Sequence, residues 1–290
     1  MPRVGGNDDV CFLGVFDGTV GDDAADFVHL HLQDAMCGAS NRAFGESVAA
    51  ARAAPASGFL HPTAVAKMEA ALLEGYRACD EALIRMCAEA SPKIDYSACT
   101  SVTVVISGDV LSCAHLGDSK IALGRDTGGG VVTGKFLTTD HKPDVPEERK
   151  RIEKSGGSLA YLHGGKPFIR GGDFTERQQK GERPMQLNYS RAFGGKDLKM
   201  FGLSAVPDVM QMQLLPVDRV VILASDGLWD VATADVAVKR AWESVRVGRD
   251  AALDLTDWAL AQHEVKGSVD NVTVIVIVLR NPGQHAGAAS

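Results

Sequence analysis

The stretch V-C-F-L-G-V-F-D-G, residues 10–18, decides how the rest of this chain reads. Its apolar run forms a strand buried on both faces, and Asp17-Gly18 stops it abruptly. The same arrangement returns downstream. Asp226-Gly227 follows V-V-I-L-A-S, residues 220–225; Asp118 in L-G-D-S-K ends another apolar stretch. Asp270 with Asn271 immediately precedes V-T-V-I-V-I-V-L, residues 272–279, and Asp230 lies four residues after Asp226. Any single Asp-Gly pair is ordinarily just a turn. Carboxylates at the ends of several packed strands can also converge on one edge of a sheet. There they repel one another unless a cation neutralises them, and hard divalent ions such as Mg²⁺ and Mn²⁺ favour oxygen ligands of this kind. Gly18 and Gly227 leave backbone carbonyls open to such an ion, with no side chain in the way.

Outward from these motifs the chain alternates between two periods. Residues 22–36 place Phe27, Val28, Leu30 and Leu32 at helical spacing, with Asp22 or Asp23 as N-cap. A long helix is expected from near Pro62 to Glu89, with Pro62 in its first turn. Residues 100–107, 110–116 and 120–123 read as strands, the first two joined by Gly108-Asp109. P-E-E-R-K-R-I-E-K-S, residues 146–155, reads as a charged, solvated surface helix stopped by Gly156-Gly157. Residues 164–195 are polar and glycine-rich, and are expected to be a surface loop or flap. Its basic residues Lys166, Arg170, Arg177, Lys180 and Arg183 suit contact with the peptide around a phosphate. Residues 219–224 form a buried strand, 233–245 and 249–265 two helices, and 271–279 a β-branched closing strand. The sum is a single layered α+β domain over residues 1–290, of mainly antiparallel sheet.

Composition narrows the functional classes. The 290 residues carry 30 Lys+Arg against 37 Asp+Glu, a net charge of −7, which argues against a protein built to coat nucleic acid or an anionic membrane. No apolar run is long enough to span a bilayer, and Asn7-Asp8-Asp9 occupies the place of a signal peptide's apolar segment, so an intracellular, cytoplasmic or nuclear protein is expected. The six cysteines form no C-x-x-C pair and are expected to be buried free thiols. No G-x-x-x-x-G-K-[ST] loop occurs, which disfavours a nucleotide-driven enzyme. His29 and His31 lie two apart on a helix and point about 200° away from each other, so they cannot share a metal. Trp229 reads as core support for the Asp226 turn, and His141 as structural.

G-V-F-D-G (14–18), A-H-L-G-D-S-K (114–120), T-T-D-H-K-P (138–143), S-R-A-F-G (190–194), S-D-G-L-W-D (225–230) and S-V-D-N-V-T (268–273) occur in this order. The set resembles the metal-dependent protein phosphatase family, type 2C, across nearly the whole chain. The resemblance implies a sandwich of two antiparallel sheets flanked by helix pairs. It implies hydrolysis of phosphoserine and phosphothreonine in phosphoprotein substrates by a monomer, assisted by two Mn²⁺ or Mg²⁺ ions. Carried over by position, Asp17 would bridge the ions, the Gly18 carbonyl would bind one, and Asp226 and Asp270 would complete the first ion's ligands. Asp118 and Asp230 match positions that, with Asp226, hold a weaker third ion in some relatives. Arg191 could orient a loop or help bind an anionic substrate.

Two departures from the family stand out. The family's D-G-H-G-G is here Asp17-Gly18-Thr19-Val20-Gly21, so the histidine thought to protonate the leaving oxygen is absent. General acid catalysis is worth about 10²–10⁴-fold, and its loss opens the alternative of a pseudophosphatase, the same fold serving as a regulatory binding module. The family's preceding strand, with its phosphate-gripping Arg and acidic ligand pair, is also expected to be missing. Asp8 and Asp9 cannot substitute, because they head the strand that ends at Asp17, about 26–30 Å away.

Overall fold

The computed structural model describes residues 3–4, 7–38, 41–53, 61–89, 97–162, 164–182 and 184–279, so Arg183 of the basic segment lies outside the described residues. In chain order the elements are β1 Arg3–Val4, β2 Asn7–Val15, β3 Gly18–Thr19, α1 Asp23–Cys37, α2 Arg42–Ala53, α3 Pro62–Glu89, β4 Ala98–Cys99, β5 Ser101–Ser107, β6 Val110–Leu116, β7 Lys120–Asp126 and β8 Val132–Phe136. They continue with α4 Pro146–Lys154, β9 Ser158–Leu162, β10 Lys166–Arg170, α5 Phe174–Gln179, β11 Gln186–Leu187, β12 Phe193–Gly194 and α6 Lys196–Lys199. The last are β13 Asp208–Gln213, β14 Asp218–Ala224, α7 Asp226–Trp229, α8 Ala234–Arg246, α9 Ala251–Lys266 and β15 Val274–Val278. This is an α+β fold whose sheets are antiparallel. They belong to two compact units, Met1–Asp118 with Asp140–Gln213 and Ser119–Thr139 with Leu214–Ser290.

The first unit is built on a five-stranded sheet of order β1-β2-β5-β6-β13. Its register pairs Phe12 with Val105 and Val104 with Cys113. Helices α1 and α3 cover it. Val28, Leu32 and Met36 of α1 and Leu72, Tyr76 and Leu83 of α3 are buried with Phe12, Val105 and Leu116 of the strands. Burial of each such side chain contributes about 1.5–3 kcal/mol. Two small three-stranded sheets, β12-β4-β3 and β11-β10-β9, complete the unit.

One polar contact fixes α3 over the strands. The fully buried Tyr76 hydroxyl lies 2.9 Å from both Ser101 Oγ and Thr103 Oγ1 on β5 and donates to the Ala114 carbonyl of β6 at 3.1 Å. Its ring stacks on Phe193, centroids 4.9 Å apart. The first turn of α1 is capped from a distance. Asp22 occupies the N-cap but makes no side-chain cap bond, and Ser97 Oγ accepts the Ala24 N–H at 2.9 Å instead.

The second unit is a four-stranded sheet, β15-β14-β7-β8. Ala237, Val238 and Ala241 of α8 and Leu255 and Ala259 of α9 are buried with Val220, Ile222 and Ala224 of β14. The buried Asp218 at the start of β14 is met by Arg125 Nε at 2.7 Å and by the Leu215 N–H at 2.8 Å.

Three segments differ from the sequence reading. Residues 164–195 are not an irregular flap: β10 pairs with β9 and β11, and α5 lies between them. A two-residue strand, β1, pairs with β2, so the sheet edge expected to be bare carries a short strand. Helix α4 is not simply a solvated face, because Glu148 and Ile152 are buried. Among the described residues no helix is long and apolar enough to cross a membrane.

The Tyr76 contact yields a first test. Tyr76→Phe leaves the Ser101 and Thr103 hydroxyls in the core without their shared partner, at a cost of about 1–3 kcal/mol. Urea unfolding should show a lower midpoint with unchanged slope; a variant as stable as its parent contradicts the assignment.

Candidate active site

In the first unit, strand β2 delivers Asp17 half-buried at its end, and the Asp17 carbonyl accepts the Thr100 N–H at 2.9 Å. The next two residues form β3, pairing Gly18 with Cys99 and Thr19 with Ala98 of β4. The opposite edge of β4 holds β12, pairing Phe193 with Cys99. The 14–18 and 190–194 motifs therefore meet on one two-residue strand. Gly18 is required by space, since a Cβ there would lie 2.7 Å from the Gly21 carbonyl. Val20 is the only non-glycine among the described residues with positive φ, at 62°. For a β-branched residue this left-handed conformation is a true outlier that stores about 1–3 kcal/mol. The turn after Asp17 is thus held against its own preference.

Asp118, at the far end of β6, is 3% exposed and accepts a hydrogen bond from Lys142 Nζ. The segment carrying Lys142 is tied to the Asp118 loop by its neighbour. The His141 N–H donates to the Gly117 carbonyl at 3.0 Å, and the Gly117 N–H donates to His141 Nδ1 at 3.1 Å. Tyr189 is 3% exposed, and its hydroxyl donates to Thr19 Oγ1 at 2.7 Å. Burial above all pushes the Tyr189 phenol well above its usual value, and the carboxylates of Asp118 and Asp17 push it further.

In the second unit, Asp226 opens α7 and Asp230 follows its last turn, the Asp230 N–H donating to the Asp226 carbonyl at 2.8 Å. Asp270 is exposed and accepts the Asn271 N–H at 2.8 Å. The two acidic segments are stapled together. The Ser225 N–H donates to the Thr273 carbonyl at 3.1 Å, and the Thr273 N–H donates to Ser225 Oγ at 3.2 Å. Gly227 makes this approach feasible: a Cβ there would lie 2.1 Å from the Asn271 carbonyl oxygen. The buried His263 of α9 braces the same turn, its Nε2 2.7 Å from the Gly227 carbonyl and its Nδ1 2.8 Å from Ser268 Oγ. Trp229, 6% exposed, donates Nε1–H to the Ala224 carbonyl at 2.8 Å and is core support as expected.

The expected ligands are all oxygen donors: Asp17, the Gly18 carbonyl and Asp118 belong to the first unit, and Asp226, Asp230 and Asp270 to the second. That chemistry fits hard divalent ions and not a thiolate-seeking metal. A further group, His115, His141 and Asp208, has potential ligand atoms within 4.8 Å of one another. Its geometry is wrong for a shared metal. His141 Nδ1 is used as an acceptor, so the ring proton sits on Nε2, 3.2 Å from Asp208 Oδ2. The His115 and His141 rings are also stacked, 4.5 Å apart and 12° from parallel, so their in-plane lone pairs do not converge.

Arg191 is committed elsewhere than to a substrate. Its Nε and Nη2 donate to Glu148 Oε1 at 3.0 and 2.8 Å, and Nη1 donates to Asp208 Oδ1 at 2.6 Å and the Val206 carbonyl at 3.0 Å. Glu148 is the hub of this network and also accepts from Arg151 and the Ser190 hydroxyl. Two of the basic residues of 164–195 are similarly answered: Arg177 pairs with Asp197 at 2.6 Å and Glu182 at 3.1 Å, and Lys180 with Glu176 at 2.6 Å. His29 and His31 are both exposed on α1. Tyr189, His263 and Glu148 escaped the sequence reading. Glu148 sat in a charged run with the pattern of a solvated helix, and the other two lie at no telling spacing.

A family model described as "Protein phosphatase 2C" matches residues 1–272. Probable protein phosphatase 2C 68 of Oryza sativa subsp. japonica is 33% identical over 274 residues, 93% of this chain and 68% of that protein. Probable protein phosphatase 2C 72 of Arabidopsis thaliana is 34% identical over 197 residues, 65% of this chain, and the match takes in 56% of that protein's own length. Among solved structures, a serine-threonine phosphatase 2C from Toxoplasma gondii superposes with a TM-score of 0.88 at 43% identity, covering 96% of this chain and 87% of that one. A sex-determining protein of C. elegans shares the fold, with a TM-score of 0.67 at 24% identity. The chain belongs to the protein phosphatase 2C family.

The Glu148 hub gives a pH prediction. Burial would raise this carboxyl, but hydrogen bonds from Arg151, Arg191 and Ser190 bring it down to about 2 from its usual 4.5. A depressed carboxyl stabilises the fold above its unfolded value, and that stability is lost as pH falls towards the folded one. Thermal unfolding should therefore weaken between about pH 4.5 and 2. Glu148→Gln should lower stability at neutral pH and flatten this acid limb; an unaltered limb contradicts the hub role.

Proposed function

We propose that this chain hydrolyses phosphoserine and phosphothreonine monoesters in proteins with the help of two Mn²⁺ or Mg²⁺ ions. The observation that carries the reading is the pairing of family membership with carboxylates at the expected strand ends. The residues that would hold the ions are Asp17, Asp226 and Asp270 with the Gly18 carbonyl, and Asp118 and Asp230 would serve a weaker third ion with Asp226. When bound, such ions supply Lewis acidity towards phosphoryl oxygens and acidify water at neutral pH.

The chain's own residues set the conditions for that chemistry. Asp17 is fixed by β2 and by its backbone bond to Thr100. Asp226 and Asp270 are fixed relative to each other by the Ser225–Thr273 ladder and the His263 brace. Arg191 holds the 190–194 loop through Glu148 and Asp208 and is assigned to positioning that loop. A covalent thiol mechanism is disfavoured by the thiols themselves: burial pushes Cys37, Cys79 and Cys113 up to about 12, so at neutral pH they are protonated and poor nucleophiles.

Thr19 in place of the family histidine favours one second reading, a pseudophosphatase retained as a binding module. The two readings separate in one assay, Mn²⁺-dependent hydrolysis of p-nitrophenyl phosphate and of a phosphothreonine peptide. The enzyme reading expects Mn²⁺-dependent turnover that Asp226→Asn lowers by about 100-fold or more, beyond the usual cost of losing an outer-shell partner. Absence of turnover, or turnover indifferent to Asp226→Asn, favours the binding module.

A further inference from the structure

The hydrogen bond between Tyr189 and Thr19 spans 170 residues of sequence and lies two residues from Asp17. A hydroxyl has one proton to give and two lone pairs to receive with. Tyr189 is buried and keeps its proton, so it donates, and the Thr19 oxygen accepts. The Thr19 proton is thereby left to point at a different acceptor. The hydroxyl is also fixed in place. Upstream, Gly18 and Thr19 are paired to β4. Downstream, Val20 is held at φ 62° before α1, whose first turn is pinned by Ser97. Strain of this kind persists where the surroundings over-determine it, and it clusters at sites that need a fixed geometry.

We infer that Thr19, oriented by Tyr189, is the hydrogen-bond donor to the serine or threonine oxygen that leaves phosphorus. The inference rests on the phosphatase reading above and deepens it. As the bond from phosphorus to the ester oxygen breaks, its electron pair goes to that oxygen and a water oxygen bonds to phosphorus. Thr19 donates a hydrogen bond to the developing alkoxide and retains its proton, as an aliphatic hydroxyl does at neutral pH. The alcohol takes its proton from solvent. Tyr189 is a positioning residue in this scheme, and Thr19 is the residue that touches the substrate.

A donor of this type matters in proportion to the negative charge on the leaving oxygen. An alkyl oxygen develops full charge, whereas a nitrophenolate disperses it into the ring. A hydrogen bond to developing charge is worth about 10–100-fold in rate. The test is Mn²⁺-supported turnover of a phosphothreonine peptide and of p-nitrophenyl phosphate by the intact chain and its variants. Thr19→Val should lose about 10-fold or more in kcat on the peptide beyond any loss on the aryl phosphate. Thr19→Ser, which keeps the hydroxyl, should restore most of the difference. Tyr189→Phe should shift the peptide-to-aryl ratio in the same direction by a smaller factor. Mn²⁺ binding by calorimetry should survive in all three, separating loss of the donor from loss of the metal ligands. Equal losses on both substrates, or no peptide loss in Thr19→Val, overturn the inference and leave the phosphatase reading standing. If Tyr189→Phe does not fold, the Val and Ser variants at position 19 decide alone. A parent chain that hydrolyses neither substrate overturns both.

Discussion

A carboxylate taken out of water has to be met by a cation or by several donors, and this protein is organised around that requirement. Asp118 is met by Lys142, Asp218 by Arg125 and Glu148 by Arg151 and Arg191. Except for Glu148–Arg151, which lies within α4, each of these pairs ties residues far apart in the chain within its own unit. On the proposed reading, the same rule extends to the acidic residues at the strand ends, with a divalent ion as the cation. Asp17 and Asp226 follow the apolar ends of β2 and β14.

Much of this was legible in the sequence wherever one physical signal dominated. Helix α3 occupies Pro62–Glu89 as its spacing and first-turn proline indicate, and β6 spans Val110–Leu116 as read. The free cysteines are buried apart from the half-buried Cys11. The order of motifs identified the family. What escaped was structure whose buried face is small or polar. Helix α2 buries Phe44, Ser47 and Val48 and satisfies Ser47 through the Ala64 carbonyl, so its apolar stripe is too thin to read. Strand β13 alternates methionines with glutamines, and Gln211 is held between Ser112 and the Val65 carbonyl. The Glu148 hub was hidden because charge in a helix normally signals solvent, and only tertiary contacts reveal which charges are inside.

The candidate site shows the same division. The Asp-Gly pairs marked where carboxylates stand at strand ends, since that position is a matter of sequence. They did not announce what holds them. Gly227 against Asn271, His263 beneath the Gly227 carbonyl and Tyr189 on Thr19 are contacts between segments far apart in the chain. The strain at Val20 is likewise invisible without the backbone. A valine there carries a cost that a glycine would not.

The proposed function stands or falls on whether the binding of paired cations depends on both Asp17 and Asp226. Electron paramagnetic resonance of the intact chain titrated with Mn²⁺ tests it directly, because neighbouring Mn²⁺ ions couple magnetically and distant ones do not. The account predicts a spin-coupled pair at saturation that disappears in both Asp17→Asn and Asp226→Asn. Isolated Mn²⁺ signals at every loading, or a coupled pair that persists in either variant, would contradict it.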